Sequence, residues 1–382
     1  MGRASIVALL LGACSFEPAS AVTDGSTDPD ATRPVDGAPN DGAPVCSIGS
    51  IDPCGQGEPL APLSLTGAFD TDLDLRCRTY AQPGGGMACL VYADGVTIPA
   101  SATLAVTGTR PLIIASTMSV VIDGLLDISS RRGGQRGAAA NDASCVTQRV
   151  PENDAGGAAG GAGGSFVATG GDGGTGDSDN SLGNDGVALS GLAGTSVAMP
   201  GFARGGCRGS NGGNEVGGDN GIGGAGGDSG GAVWIAAVGS VAIGTDGGIR
   251  ATGAGGNQGQ VQSGGGGGGS GGFVVIEAAM IDVAGDISAN SGSGGQGGTR
   301  IDGDPISGNP GGDGTFGFTP APGGNGVPGS LAGPGGVGSA GLTTGGTGVS
   351  SIVGGGGGGG GAGLIHLVGP RQGTGTISPP PA

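Results

Sequence analysis

Two pairs of aspartates have the close spacing of catalytic carboxylates, Asp123 with Asp127 and Asp282 with Asp286. Two neighbouring carboxyl groups can act as acid and base, or as acid and nucleophile, on a glycosidic bond. Each pair, however, occupies polar positions in a pattern where apolar residues recur at every second position, so a solvent-facing residue is expected there anyway. The chain also has no lysine and one tryptophan, so it has few of the cationic and aromatic side chains that usually bind a sugar. A solvated strand face is the preferred interpretation, and a polysaccharide lyase or hydrolase is the alternative.

The segment Gly227-Asp228-Ser229-Gly230-Gly231 looks like the active-site motif of chymotrypsin-like serine proteases. That family needs a histidine ahead of the serine as general base. The single histidine, His366, follows the serine, and residues 229–235 match residues 270–276 in a repeated pattern. We therefore interpret the motif as the lead-in to a repeated strand, and His366 as a packed or edge residue of an apolar strand.

Other glycine motifs also fall short of a binding site. Residues 223–228 match the first six positions of the calcium-binding nonapeptide of RTX proteins, but Gly230 stands where that motif requires a large apolar residue. A Walker phosphate loop requires a lysine, which the chain lacks. The sequence predicts no metal site, no cofactor and no catalytic residue.

The cysteines divide into Cys14 and six that follow it: Cys46, Cys54, Cys77, Cys89, Cys145 and Cys207. A short apolar run ends in Leu11-Gly12-Ala13-Cys14, which resembles a bacterial lipobox with Cys14 as the lipidated residue. In an exported chain the other six are expected to form disulfides, and six cysteines allow fifteen pairings. Proximity favours Cys46 with Cys54, Cys77 with Cys89, and Cys145 with Cys207. Zinc is not expected, because no Cys-x2-Cys spacing occurs.

The amino-terminal part of the chain divides by composition. Residues 1–13 are expected to be a lipoprotein signal peptide, and residues 14–44, rich in Asp, Pro, Gly and Ala, a disordered tether. Residues 45–97 hold four cysteines and are interpreted as a cap on the body that follows. No apolar stretch approaches the roughly 20 residues that a membrane-spanning helix needs, so the lipid is the expected anchor.

Glycine dominates the rest of the chain. Of 382 residues 100 are Gly, and the net charge is −17 with all 14 basic residues Arg. Such a composition is not that of a conventional compact enzyme. The basic cluster Arg131, Arg132 and Arg136 is too small to favour a nucleic-acid partner.

A repeated pattern of short apolar segments organises residues 98–369. Its columns are Val120, Val241 and Ile281; Ile122, Ile243 and Val283; Gly124, Gly247 and Gly285; Leu126, Ile249 and Ile287; and Ile128, Ala251 and Ala289. Apolar residues alternate with polar ones, as is typical of half-buried strands, and a partial fourth unit spans residues 364–368. Because one unit cannot bury a core alone, the stacked columns predict an all-β, right-handed parallel β-helix-like solenoid. An antiparallel sandwich with hairpins at Asp123-Gly124 and Asp246-Gly247 is the alternative.

Long glycine-rich inserts separate the units, at residues 131–227, 253–269 and 291–361. Ordering a residue costs about 1–2 kcal/mol of backbone entropy, and glycine buries no side chain in return, so flexible surface loops are expected. Deletion of residues 255–263 should then be tolerated. Close packing of extended, polyproline-II-like glycine segments is the alternative.

The strand pattern also assigns individual side chains. Ile243, Val283 and Ile287 should be interior, whereas Asp282 and Ser288 should face solvent. Residues 370–382 are expected to be a disordered tail.

The lipobox, the acidic tether, the cysteine-bearing cap and the glycine-rich strand repeats together resemble glycine-rich β-helix lipoproteins of bacterial surfaces. The resemblance implies the architecture and an outer-membrane location facing the surface or the periplasm, and it contributes no catalytic residue. The lipobox at Cys14, the tether and the glycine-rich inserts lead to the hypothesis of a lipid-anchored protein with a structural or adhesive role and no catalysis. Cell-surface or matrix polysaccharide or protein is the expected partner class, and a β-helix polysaccharide lyase or hydrolase is the alternative function.

Overall fold

The computed structural model describes residues 47–53, 55–180 and 186–382. Within these ranges the secondary structure is β-strand, and no helix is present. The strands are β1 (Leu63–Ser64), β2 (Gly67–Asp70), β3 (Arg78–Ala81), β4 (Met87–Ile98), β5 (Thr103–Thr107), β6 (Leu112–Ile122), β7 (Leu125–Asp127), β8 (Ala232–Ile243), β9 (Gly248–Arg250), β10 (Phe273–Val283), β11 (Asp286–Ser288), β12 (Thr299–Ile301), β13 (Asp304–Ile306), β14 (Leu364–Val368), β15 (Arg371–Gln372) and β16 (Thr376–Ser378).

Two sheets, almost entirely parallel, contain most of these strands. The first sheet has the order β1-β4-β6-β8-β10-β14, with β15 beside β10 and β3 antiparallel to β4. The second has the order β16-β11-β9-β7-β5-β2. Each repeat unit therefore gives one long strand to the first sheet and one short strand to the second. Strands β12 and β13 form a separate antiparallel hairpin.

The register of both sheets follows the columns that the sequence predicts. Val241 pairs with Val120 on one side and Ile281 on the other, and Ile249 likewise pairs with Leu126 and Ile287. Strands β4 and β5 form a further unit, outside the aligned repeats, which enters the two sheets in the same way. Part of the segment interpreted as a cap, residues 87–97, thus belongs to the first sheet.

The long strands are buried on both faces, which explains their near-continuous apolar sequence. In β6, Leu112 and Ile114 join a cluster shared with the second sheet, while Ile113 packs on the opposite face. Ile243, Val283 and Ile287 lie in the shared cluster, each about 1% exposed, as predicted. Full burial of one such side chain contributes about 1.5–3 kcal/mol.

The prediction of a right-handed parallel β-helix-like solenoid is wrong. The strands form two open parallel sheets, and among the described residues no sheet closes or winds into a solenoid. The antiparallel sandwich is wrong as well, because neighbouring units pair in parallel. The physical reason is that the chain leaves the short strands β7, β9 and β11 for glycine-rich segments, which have their own order and do not form a third sheet.

The glycine-rich segments are ordered, although flexible loops were expected. They form an array of extended segments joined by backbone hydrogen bonds, and residues 263–272 lie at its centre. The carbonyls that accept from Gly264 to Gly269 are, in order, those of Gly213, Gly355, Asn257, Ser210, Gly358 and Ala254. Every third amide thus donates to the same neighbouring segment, which is the repeat of a polyproline-II-like helix and not that of a strand.

Three other segments donate to the carbonyls of the central one. Their amides lie in residues 161–164, 224–230 and 292–298, so the central segment has six hydrogen-bonded neighbours. This arrangement satisfies the backbone in every direction, which compensates the ordering entropy that glycine side chains cannot offset. Deletion of residues 255–263 would remove part of one neighbour, so the expected tolerance no longer follows.

Glycine is required in the array because the backbones lie too close for a side chain. A Cβ placed on Gly264 would overlap the carbonyl oxygen of Ala159, and one on Gly267 would overlap that of Ala162. These neighbours are backbone atoms that are themselves hydrogen-bonded, so they cannot move aside individually.

The carboxyl-terminal residues are also ordered, in contrast to the expected disordered tail. Strand β15 pairs with β10, and β16 completes one edge of the second sheet beside β11. The Ala382 amide donates to the Ile365 carbonyl at 2.9 Å, so the chain end lies against β14.

Several predictions fall outside the described residues. They are the signal peptide, the tether, Cys14, and the pair Cys46 and Cys54. The described residues contain no helix that could span a membrane.

Candidate functional site

The outer segments of the array expose side chains at three-residue intervals. In residues 331–338, Leu331 and Val337 are exposed and the intervening Pro334 is partly exposed. In residues 344–353, Val349 and Ile352 are exposed in the same rhythm. Residues 344–353 also expose a second, polar row, Thr344, Thr347 and Ser350. A three-residue helix turns every third residue toward the same side, so the exposed aliphatic side chains of each segment form one row.

These two rows are neighbours. The amides of Gly346 and Val349 donate to the carbonyls of Val337 and Pro334, both at 2.9 Å, and the segments run antiparallel. Leu331, Val337, Val349 and Ile352, between 37% and 59% exposed, form what we term the array patch. Clustered exposed aliphatic side chains often mark a contact surface.

The array patch was not predicted from the sequence, although the sequence carries a three-residue spacing that indicates it. Alanine or serine recurs at every third position of residues 159–165, separated by paired glycines. The same spacing places Leu331, Pro334 and Val337 on one row.

The predicted carboxylate pairs lie where each long strand turns into its short strand. Asp127 accepts hydrogen bonds from the Ser129 amide at 3.1 Å and from Arg131 Nη2 at 2.8 Å, and is nearly buried. Asp282 accepts from Gln372 Nε2 at 3.2 Å, and Asp286 begins β11. Asp282 is partly exposed, in line with its solvent-facing prediction. Asp127 was also expected to face solvent, and that expectation is wrong, because its hydrogen bonds to Ser129 and Arg131 hold its carboxylate in a buried, structural position.

Ser288 differs from its prediction. It was expected to face solvent, yet it is fully buried and its hydroxyl donates to the Thr315 carbonyl at 3.0 Å. The reason is that the segment containing Thr315 covers the outer side of β11. Asn290 Nδ2 donates to the same carbonyl at 2.7 Å.

The protease-like motif is the lead-in to a strand, as predicted. Ala232 pairs with Phe273, so residues 229–231 and 270–272 precede equivalent strands. Ser229 is buried and its hydroxyl accepts from the Asn141 amide at 2.8 Å. His366 lies on the edge strand β14, with Nδ1 2.7 Å from the Ala382 carbonyl oxygen, and is not the partner of Ser229.

The calcium-like motif is one segment of the array. Gly224 and Gly227 donate to the central segment, and the Asp228 carboxylate accepts from Asn141 Nδ2 at 2.6 Å. Within the ranges that the structure describes, no three His, Cys, Asp or Glu side chains are grouped so that they could hold a metal ion.

Two disulfides crosslink the described chain. Cys77 pairs with Cys89, with Cα atoms 4.9 Å apart, and Cys145 pairs with Cys207, with Cα atoms 5.5 Å apart. Both are pairings that proximity along the chain favours. The second joins residues 62 positions apart and ties the array to the segment that follows Ala140.

Comparison with protein-family models, with curated proteins and with solved structures finds no match to this chain.

Proposed function

We propose that this protein is a structural or adhesive component of a bacterial surface, anchored in the outer membrane through a lipid on Cys14 and without catalytic activity. The observation that supports the proposal best is the glycine array. Much of the chain is ordered as a backbone-bonded support whose outer segments carry regular rows of side chains.

The array suits a role in contact more than one in chemistry. Its interior holds almost no side chains, so its hydrogen bonds serve to fix the outer rows in place. Rows held by backbone bonds lose little conformational entropy on binding, and this favours contact with a partner surface. The partner class we propose is polysaccharide or protein of the cell surface or matrix.

Adhesion can be tested by comparing two fourfold variants. The first changes the array patch to serine: Leu331→Ser, Val337→Ser, Val349→Ser and Ile352→Ser. The second is a matched control that changes exposed aliphatic residues elsewhere: Leu73→Ser, Leu75→Ser, Val146→Ser and Val150→Ser. Retention of each purified protein on envelopes and matrix of the producing cells is the readout.

The patch variant should lose several-fold of the retained fraction, while the control variant keeps it. Equal retention by all three proteins, or equal loss in both variants, would show that the array patch makes no adhesive contact. Thermal unfolding of each variant verifies that the array is intact.

Location needs a separate experiment. Cys14→Ser should move the protein from the membrane fraction to the soluble fraction and abolish palmitate labelling. Protease added to intact cells should digest the wild-type protein. Digestion only after lysis would contradict surface display.

A further inference from the structure

A cleft of about 510 Å³ lies beside the turn between β3 and β4, and it shares no residue with the array patch. Its walls come from the β3–β4 turn, from residues 108–111, from residues 136–143 and from residues 202–204. Three arginines line it: Arg110, Arg136 and Arg204. This is a concentration of cations in a chain with net charge −17 and only 14 basic residues.

The arginines outnumber the carboxylates that hold them. Arg110 Nε lies 3.1 Å from Asp72, and Arg204 Nη2 lies 3.4 Å from Asp142. Arg136 and Arg208 share a single carboxylate, that of Asp228, at 3.4 and 3.5 Å. Arg208 does not line the cleft, and of the three carboxylates only Asp142 does, so the described lining presents three guanidinium groups and one carboxylate.

The guanidinium groups of the cleft differ in their availability. Arg204 is only 8% exposed, packs over the Phe166 ring at 5.4 Å, and its Nε has no hydrogen-bond partner. The Arg136 side chain is 60% exposed and has one long ion pair. Arg136 is therefore the group best placed to turn toward a ligand, whereas Arg204 supplies a fixed charge behind it.

The walls of the cleft are held in place before any ligand binds. Gln82 exchanges two hydrogen bonds with the backbone of Ala203, at 2.8 and 3.0 Å, which joins the β3–β4 turn to the opposite wall. The Cys145–Cys207 disulfide lies three residues beyond both Asp142 and Arg204. A site with fixed walls loses less entropy on binding than a flexible one.

The geometry points to a binding site for a carboxylate-bearing sugar unit, such as a hexuronate residue. Guanidinium groups match carboxylates with paired hydrogen bonds, and three of them line the cleft. Its volume lies within the range of small-molecule sites, and the partly exposed Phe202 gives one wall a flat apolar surface for a sugar ring. The inference goes beyond the proposed function and does not depend on surface display or adhesion.

Calorimetric titration with sodium glucuronate tests the assignment. Glucose has a similar ring without the charge, and inorganic phosphate has a charge without the ring, so both serve as comparison probes. The test variant is Arg136→Gln. The matched control is Arg208→Gln, which removes a partner of the same Asp228 carboxylate but does not line the cleft.

Glucuronate should bind the wild-type protein saturably, and glucose should not. Arg136→Gln should weaken binding at least about tenfold, the effect of losing a hydrogen bond to a charged group, and Arg208→Gln by less than about threefold. Thermal unfolding of both variants establishes that they are folded.

Three results would overturn the assignment. They are the absence of saturable glucuronate binding up to about 10 mM, equal weakening by the two variants, and phosphate binding as tight as that of glucuronate. The last result would identify a general anion site and not a site for a sugar acid.

Discussion

Asp72 and Asp74 are carboxylates whose charged form the folded chain stabilises. Burial acts to raise the pKa of Asp72, but hydrogen bonds from the Thr109 amide and hydroxyl and from Arg110, together with the Arg110 charge, outweigh it and hold that pKa below its ordinary value. The hydrogen bonds and charge of Arg76 hold the pKa of Asp74 below its ordinary value as well, against a smaller opposing effect of burial.

Stability should consequently fall in acid. A carboxyl with a lower pKa in the folded chain contributes fully above its unfolded pKa, about 3.9 for Asp, and the contribution is lost as the pH falls through the folded-state pKa. We expect urea midpoints to decrease below about pH 4, and Asp72→Asn to reduce that decrease. Asp304→Asn, on the exposed strand β13, makes the same charge change and is the matched control. Identical acid profiles for wild type and Asp72→Asn would contradict the assignment.

Burial of Ser288 gives a second prediction. Ser288→Ala removes its hydrogen bond to Thr315, and should cost about 1 kcal/mol. Ile287→Ala should cost about 2–4 kcal/mol, because it opens a cavity in the shared core. Asp282→Ala should stay within about 0.5 kcal/mol. The denaturant midpoints of the three variants show whether the losses of stability follow this order. A Ser288→Ala protein as stable as wild type would place Ser288 at the surface.

The glycine segments and the strands differ in how they satisfy their backbone hydrogen bonds and in what they bury. A strand pairs with two neighbours and buries side chains between sheets, whereas a segment such as 263–272 bonds to six neighbours and buries backbone. The stability of the array therefore depends on close contact between backbones, and this contact is possible only where the residues lack a Cβ.

A pair of glycine substitutions tests this dependence. Gly267→Ala places a Cβ onto the backbone of Ala162, and should destabilise the protein by at least about 3 kcal/mol. Gly218→Ala is the matched control, because a Cβ there meets open space, and its effect should stay within about 1 kcal/mol of wild type. The free energy of unfolding in urea distinguishes the two. A small effect at Gly267 would mean that the array is loosely packed.

The two disulfides constrain the protein over different lengths of chain. Cys145–Cys207 spans 62 residues within the glycine-rich segment 131–227, while Cys77–Cys89 spans 12 residues and ends in β4. A crosslink restricts the unfolded chain more strongly when the loop that it closes is longer.

Replacing both cysteines of a pair by alanine should reveal that difference. Loop closure predicts a loss of about 4 kcal/mol for the Cys145–Cys207 pair and about 3 kcal/mol for the Cys77–Cys89 pair. Equilibrium unfolding of the two double variants under non-reducing conditions is the measurement. A larger loss for the shorter loop would show that packing around Cys89, which is fully buried, outweighs chain entropy.

The strand repeats could be predicted from the sequence because apolar side chains at every second position report burial directly. The register of Val120 with Val241 and of Ile249 with Ile287 follows from aligned columns, and the two described disulfides join cysteines that are consecutive along the chain.

Only the tertiary structure revealed the array, since its bonds connect backbone groups of segments far apart in sequence, such as Gly265 and Gly355, and glycine has no side chain to mark them. The cleft likewise depends on folding: Arg110, Arg136 and Arg204 are widely separated along the chain, and only the packed walls bring their charges together.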